Sequence, residues 1–180
     1  MLIAQSYPFA PTEEQLFFCK EMARFLQGEL DGKCFILRGY AGTGKTTSVA
    51  ALVKALPAFR LRSVLLAPTG RAAKVMSAYS GRMALTIHKK IYRKKVAVSV
   101  DMSFQLAPNL AENTLFIIDE ASMIADEWNA KNASSFLQDL MEFVYNQKNC
   151  AVLFVGDTAQ LPPVGSLDSP ALDKKHLQDA

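Results

Sequence analysis

Four short apolar runs divide the chain: Cys34-Phe35-Ile36-Leu37, Val64-Leu65-Leu66-Ala67 after Ser63, Leu115-Phe116-Ile117-Ile118 after Thr114, and Ala151-Val152-Leu153-Phe154-Val155. Continuous runs of this length, bounded by polar turns, predict strands of a parallel sheet covered on both faces. The segments between them carry helical spacing. Leu16, Cys19, Ala23 and Leu26 follow Thr12 and Gln15, a capping-box pair, and the helix they predict ends near Gly28. A second helix spans residues 48–56 and is closed by Pro57; a third is capped by Thr69 and runs to about Ala78. Thr86 opens a short one, and residues 126–145 read as a long one with Trp128, Phe136, Leu140, Phe143 and Val144 as core or seam positions. Alternating strands and helices predict an α/β fold with a mostly parallel sheet flanked by helices.

One stretch breaks the alternation. Residues 96–100 and 104–106 flank Asp101-Met102-Ser103 and end at Pro108, which predicts a small β-hairpin outside the main sheet. We therefore expect one domain over 1–180, with 92–112 as an inserted β subdomain and 166–180 as a polar tail.

At 180 residues and 50% hydrophobic composition, one domain can bury a sizeable core. No apolar run reaches membrane-spanning length, and the start lacks a basic segment followed by an apolar one. Cys19, Cys34 and Cys150 are scattered without C-x-x-C spacing, so the expected setting is reducing and cytoplasmic. The net charge of +3 hides an asymmetry: residues 32–100 hold fourteen Lys/Arg and no Asp or Glu, whereas the remainder sets six basic residues against seventeen acidic ones. Such a segment suits a polyanion, because Lys/Arg neutralisation of phosphates supplies most sequence-independent nucleic-acid affinity. The alternative is that the two halves neutralise each other across the fold.

The first chemical motif follows the first strand. Gly39-Tyr40-Ala41-Gly42-Thr43-Gly44-Lys45-Thr46 matches G-x-x-x-x-G-K-[ST], with strand, loop and helix in the required order. In such a loop, inward-turned backbone N–H groups and the positive helix end bind phosphate oxygens. Lys45 would add charge at the β and γ phosphates, and the Thr46 hydroxyl would ligate Mg²⁺; Gly42, Thr43, Gly44 and Thr47 complete the expected nucleotide-binding set.

The second motif, Asp119-Glu120, ends the third apolar run. In a phosphate-loop ATPase, such a pair holds the metal through Asp119 and polarises the attacking water through Glu120. The fourth run delivers Asp157 and Gln160 to the same edge, where an amide can sense a γ-phosphate. Gln15 has two readings, reciprocal partner of the Thr12 cap or reader of the adenine edge. The strand-to-helix loop with Pro68, Thr69, Arg71 and Lys74 suits contacts to a nucleic-acid backbone. His88 reads as a surface or packing residue unless its basic neighbourhood recruits it.

Taken in order and spacing, GYAGTGKTT at 39–47, APTGRAAK at 67–74, TIHK at 86–89, IIDEASM at 117–123 and GDTAQLPPVG at 156–165 resemble motifs I, Ia, Ib, II and III of superfamily 1 DNA helicases, in the RecD/Dda-like branch. The resemblance covers nearly the whole chain. It implies a RecA-like phosphate-loop NTPase domain that uses ATP and Mg²⁺ to move on single-stranded DNA, and it makes Gln15 the adenine reader. It further implies catalytic roles for Lys45, Glu120 and Gln160, metal binding by Thr46 and Asp119, and DNA contacts at Pro68, Thr69, Arg71, Lys74, Thr86 and His88. The 96–106 hairpin matches the position of the family's inserted subdomain, with Phe104 as a candidate for its tip or base.

Family members carry a second RecA-like domain with motifs IV, V and VI and the arginines that reach the γ-phosphate. The 180 residues contain none of these, so the expectation is a piece that binds nucleotide, hydrolyses it poorly and unwinds nothing alone. Competing expectations are a small-molecule kinase, which would need a lid and an acceptor pocket, and a nucleotide-binding interaction module that turns over only when a partner supplies an arginine.

Overall fold

The computed structural model describes residues 2–94, 104–124, 128–129, 134–157, 159, 170–174 and 177. Its frame is a five-stranded sheet of β1 (Cys34–Arg38), β2 (Arg62–Ala67), β3 (Ala84–Thr86), β6 (Thr114–Ile118) and β9 (Cys150–Gly156), in the order β1-β9-β6-β2-β3. Every pairing in it is parallel. The helices are α1 (Glu13–Gln27), α2 (Lys45–Ala55), α3 (Gly70–Ser80), α4 (Ile87–Ile91) and α5 (Phe136–Tyr145).

The continuous apolar runs work because successive side chains leave a strand on opposite faces. In β9, Ala151, Leu153 and Val155 enter one core cluster with residues of α1, α2 and α3, while Cys150, Val152 and Phe154 enter a second with residues of α4 and α5. In β6, Leu115 and Ile117 divide from Phe116 and Ile118 in the same way. All five β6 residues and all seven of β9 are buried, each strand having a neighbour on both sides. Truncating Phe116, fully enclosed, would cost about 3–5 kcal/mol.

Several expectations need correction. Residues 34–37, predicted as a buried strand, are only half-buried because β1 has a single hydrogen-bonded neighbour, β9, among the described residues. Leu16 and the unassigned Phe17 are exposed; α1 buries the expected Cys19 and Leu26 together with Gln15, Phe18 and Met22. The helix predicted over 126–145 starts only at Phe136. Before it, β7 (Trp128–Asn129) pairs antiparallel with β8 (Ser134–Ser135), and a capping box between Ser135 and Gln138 opens α5. That cap satisfies amides at the helix start, which sets the boundary that the apolar spacing had blurred. The core assignment of Trp128 falls outside the described side chains.

The expected hairpin is also displaced. β4 (Tyr92–Lys94) pairs antiparallel with β5 (Phe104–Leu106), forming a two-stranded sheet separate from the main one. Residues 96–100, predicted as its first arm, lie outside the described residues, as does the side chain of Phe104. Among the described residues no helix is long and apolar enough to cross a membrane, and Cys19, Cys34 and Cys150 are free thiols.

Candidate nucleotide and nucleic-acid site

A parallel sheet sends the carboxyl ends of all its strands to one edge, and that is where the motifs collect. β1 ends at Arg38 before the 39–46 loop, β9 at Gly156 before Asp157, β6 at Ile118 before Asp119-Glu120, β2 at Ala67 before Pro68-Thr69, and β3 at Thr86. The registers Arg38↔Gly156, Ile118↔Phe154, Leu66↔Ile118 and Ala67↔Thr86 keep these ends level. The phosphate-loop and acidic motifs thus occupy β1, β9 and β6, and the candidate DNA motifs occupy β2 and β3. Four strand spacings of nearly 5 Å put the two ends of the row about 19 Å apart.

The 39–46 loop leads directly into α2, whose N-cap Gly44 is left-handed at φ 83°; Gly42 is left-handed too, at φ 80°. Lys45 lies folded over its own loop: Nζ donates to the carbonyl oxygens of Gly39 at 2.5 Å and Tyr40 at 2.8 Å, and stands 3.9 Å from Asp157 Oδ2. Asp157 is buried and its Oδ1 accepts from the Ala159 amide at 2.9 Å. Thr43 Oγ1 donates to Tyr40 O, closing the turn. A buried hydrogen bond from Tyr7 Oη to Ser48 Oγ, 2.7 Å long, ties the segment before α1 to α2; burial pushes the Tyr7 phenol up to about 12.

Gln15 takes the capping role and also reaches the phosphate loop. Its Oε1 accepts from Thr12 N at 3.0 Å while Thr12 Oγ1 accepts from Gln15 N at 3.3 Å, completing the capping box. Its Nε2 lies against Gly44, so closely that a Cβ at Gly44 would collide with it. The cap consumes the carbonyl and turns the amide nitrogen toward the loop. A cavity of about 740 Å³ on one side is lined by Gln15, Phe18, Tyr40 and Lys45 among others, and one of about 540 Å³ on the other by Phe9, Gln15, Gly42, Gly44 and Thr47.

Asp119 and Glu120 form a locked corner. Asp119 Oδ1 accepts from the Glu120 amide at 2.9 Å, Asp119 Oδ2 accepts from Tyr79 Oη at 2.6 Å, and the Asp119 amide donates to Leu66 O at 3.0 Å. Glu120 has φ 54°, a left-handed conformation that costs a non-glycine residue on the order of 1–2 kcal/mol. Such strain concentrates at functional corners. Burial, then the nearby Asp119 charge, drives the Tyr79 phenol far up, which keeps it a proton donor. Sequence reasoning missed Tyr79, because a tyrosine forty positions from its partner on a different element leaves no local signal.

The candidate DNA residues sit at helix starts. Thr69 Oγ1 accepts from the Ala72 amide at 3.2 Å as N-cap of α3, and Thr86 Oγ1 accepts from the Lys89 amide at 3.3 Å as N-cap of α4. Arg71 and Lys74 are exposed on the first turns of α3. His88 is exposed at its edge but stacks on Phe136, with ring centroids 4.5 Å apart and planes 19° apart, and the desolvation lowers its pKa. Gln160 lies outside the described residues.

The chain is similar to known proteins over most of its length. Residues 22–171 match the model of the AAA domain family. The chain is 31% identical over 154 residues to the ATP-dependent RecD2 DNA helicase of Deinococcus radiodurans, covering 86% of this chain and 19% of that protein. It is 31% identical over 131 residues to the ATP-dependent DNA helicase dda of Enterobacteria phage T4, covering 71% and 28%, and 33% identical over 153 residues to the ATP-dependent DNA helicase Pif1 of a Psychrobacter species, covering 79% and 22%. It therefore spans between about a fifth and somewhat over a quarter of these relatives. The crystal structure of Bacteroides Pif1 in complex with ADP-AlF4 shares the fold, with a TM-score of 0.53 and 23% identity over 93% of this chain and 36% of that one. A phosphate loop and an acidic corner on one edge of a parallel sheet, with the ordered motifs and these matches, make the chain a member of the AAA domain family and a RecA-like motor domain of the superfamily 1 RecD/Dda/Pif1-like helicases.

Proposed function

We propose that this domain binds Mg²⁺-ATP at the 39–46 loop and couples its hydrolysis to movement along single-stranded DNA held across the starts of α3 and α4. The observation that carries this reading is the row of strand ends: Lys45, Asp157 and the Asp119-Glu120 corner at one end, Thr69, Arg71, Lys74 and Thr86 at the other. One rigid sheet serves both halves. The relatives are named as ATP-dependent DNA helicases, which supports the same reading.

In the nucleotide half, phosphates would replace the Gly39 and Tyr40 carbonyls as partners of the Lys45 ammonium. Gln15 Nε2 faces the loop as a donor and suits an acceptor on the base edge. Hard oxygen donors, the Asp119 carboxylate and the Thr46 hydroxyl, fit Mg²⁺, which takes one or two protein oxygens and completes its shell with phosphates and water. When bound, the ion neutralises charge developing on the phosphates. Glu120 would accept a hydrogen bond from the attacking water and align it for in-line displacement, and Gln160 is proposed as the γ-phosphate sensor.

In the DNA half, Arg71 and Lys74 supply charge, Pro68 and Thr69 shape the strand-to-helix turn, and Thr86 and His88 open α4 beside it. We further propose 92–112 as the inserted subdomain. The second reading is a nucleotide-binding interaction module that turns over only when a partner supplies an arginine. ATPase rates with and without a single-stranded oligonucleotide, in wild type and Glu120→Gln, decide between them. The motor reading expects turnover that rises with DNA and disappears in the variant while nucleotide binding persists. Turnover unchanged by Glu120→Gln would reduce that residue to a structural acid.

A further inference from the structure

The hydrogen bond between Tyr79 and Asp119 has no part in the chemistry above, yet it holds the carboxylate assigned to the metal. Resting on that assignment, we propose that Tyr79 is a positioning residue for Asp119, and that α3 thereby links the candidate DNA loop at its start to the metal carboxylate near its end.

The Asp119 carboxylate is gripped from both sides. Tyr79 Oη donates to Oδ2 at 2.6 Å, a short charge-assisted bond, and the Glu120 amide donates to Oδ1 at 2.9 Å. Two donors on two oxygens fix the plane of the group, while each oxygen retains a lone pair for a cation or its water. A carboxylate held only by the adjacent amide would be free to turn about its side-chain bonds, and that lost orientation would have to be repaid when a metal binds. Groups that orient a metal ligand typically change metal affinity by about tenfold or more.

The tyrosine itself is held in place. Its ring packs against the core cluster that includes α2 and β2 residues, and α3 is tied to its surroundings by the Ser77 hydroxyl, which accepts from the Ala84 amide at 2.8 Å. Arg71 and Tyr79 are eight residues apart on one continuous helix, about 12 Å along its axis. A helix of this length moves as a unit, so a shift at the Thr69 cap is felt at the Tyr79 hydroxyl.

The test is a Mg²⁺ titration of fluorescent-ADP binding to the 180-residue chain, comparing wild type, Tyr79→Phe and Asp119→Asn, each also measured without Mg²⁺. Tyr79→Phe keeps the ring and its packing and removes only the donor. We expect its Mg²⁺ midpoint to rise about tenfold while metal-free nucleotide affinity stays at the wild-type value, which also reports an intact fold. An oligothymidylate should move the wild-type midpoint and leave that of Tyr79→Phe in place. A midpoint that shifts in Asp119→Asn but not in Tyr79→Phe overturns the positioning role alone. No DNA-dependent shift in wild type, or an equal one in both, overturns the link through α3. A wild type and Asp119→Asn pair equally indifferent to Mg²⁺ takes down the metal assignment and this proposal with it.

Discussion

Lys45 Nζ stands 3.9 Å from Asp157 Oδ2 while donating to the carbonyls of Gly39 and Tyr40, so the loop's own oxygens and a buried carboxylate surround the ammonium. The ammonium is thus kept at the mouth of the loop. Lys45→Ala should weaken ATP and ADP binding by at least about tenfold, the size expected for hydrogen bonds to a charged group. Calorimetric titration of both proteins checks it, and equal affinities would remove the basis for a phosphate site at this loop.

Gly44 is the second point at which the loop is intolerant. Its φ of 83° strains any side chain, and a Cβ there would meet the Gln15 amide, whereas Gly42, at φ 80°, faces open space. Gly44→Ala should therefore lose more stability than Gly42→Ala, which carries only the backbone cost of about 1–2 kcal/mol. Adding Gln15→Ala to Gly44→Ala should recover part of the excess, as a double-mutant cycle read by urea denaturation would show. An additive pair would mean that the amide does not rest on the glycine.

His88 sets a pH dependence. Its stack on Phe136 desolvates the ring and lowers its pKa below the ordinary 6.5. The unfolded chain therefore binds the proton first as pH falls, so this contribution is whole above about pH 6.5 and is lost as pH drops toward the folded value. Melting curves between pH 7.5 and 5 should show a steeper loss for wild type than for His88→Phe, which keeps an aromatic face and cannot titrate. Parallel curves would show that the stack leaves the ring as well solvated as in the unfolded chain.

The remaining expectation concerns the acid-free segment. Single-stranded DNA should bind weakly, with a Kd in the ordinary non-specific range of about 10⁻⁴ to 10⁻⁶ M, and should weaken steeply with salt. Arg71→Glu and Lys74→Glu reverse exposed charges at the start of α3 and should reduce affinity more than Lys174→Glu, an exposed lysine outside every motif. Fluorescence anisotropy at two salt concentrations measures this. Insensitivity to both α3 variants would recast the basic stretch as half of a self-neutralising surface.

Local chemistry was legible along the chain wherever it is carried by neighbours in sequence. The capping box of Thr12 and Gln15, the caps at Thr69 and Thr86, the phosphate loop and the strands of β6 and β9 all follow from side chains and amides within a few positions of one another. Where long-range pairing decides, the pattern fell short. An apolar run cannot say whether its strand is central or at an edge, so residues 34–37 looked as buried as 151–155 until the strand order put β1, among the described residues, beside β9 alone. Residues 126–145 read as one helix, although a short antiparallel ladder precedes it and the helix starts only after Ser135. Tertiary structure alone brought Tyr79 to Asp119, Tyr7 to Ser48, Asp157 to Lys45 and Phe136 to His88. Each of these contacts joins elements separated by dozens of residues, and only the packing of helices on the two faces of a parallel sheet fixes which side chains meet.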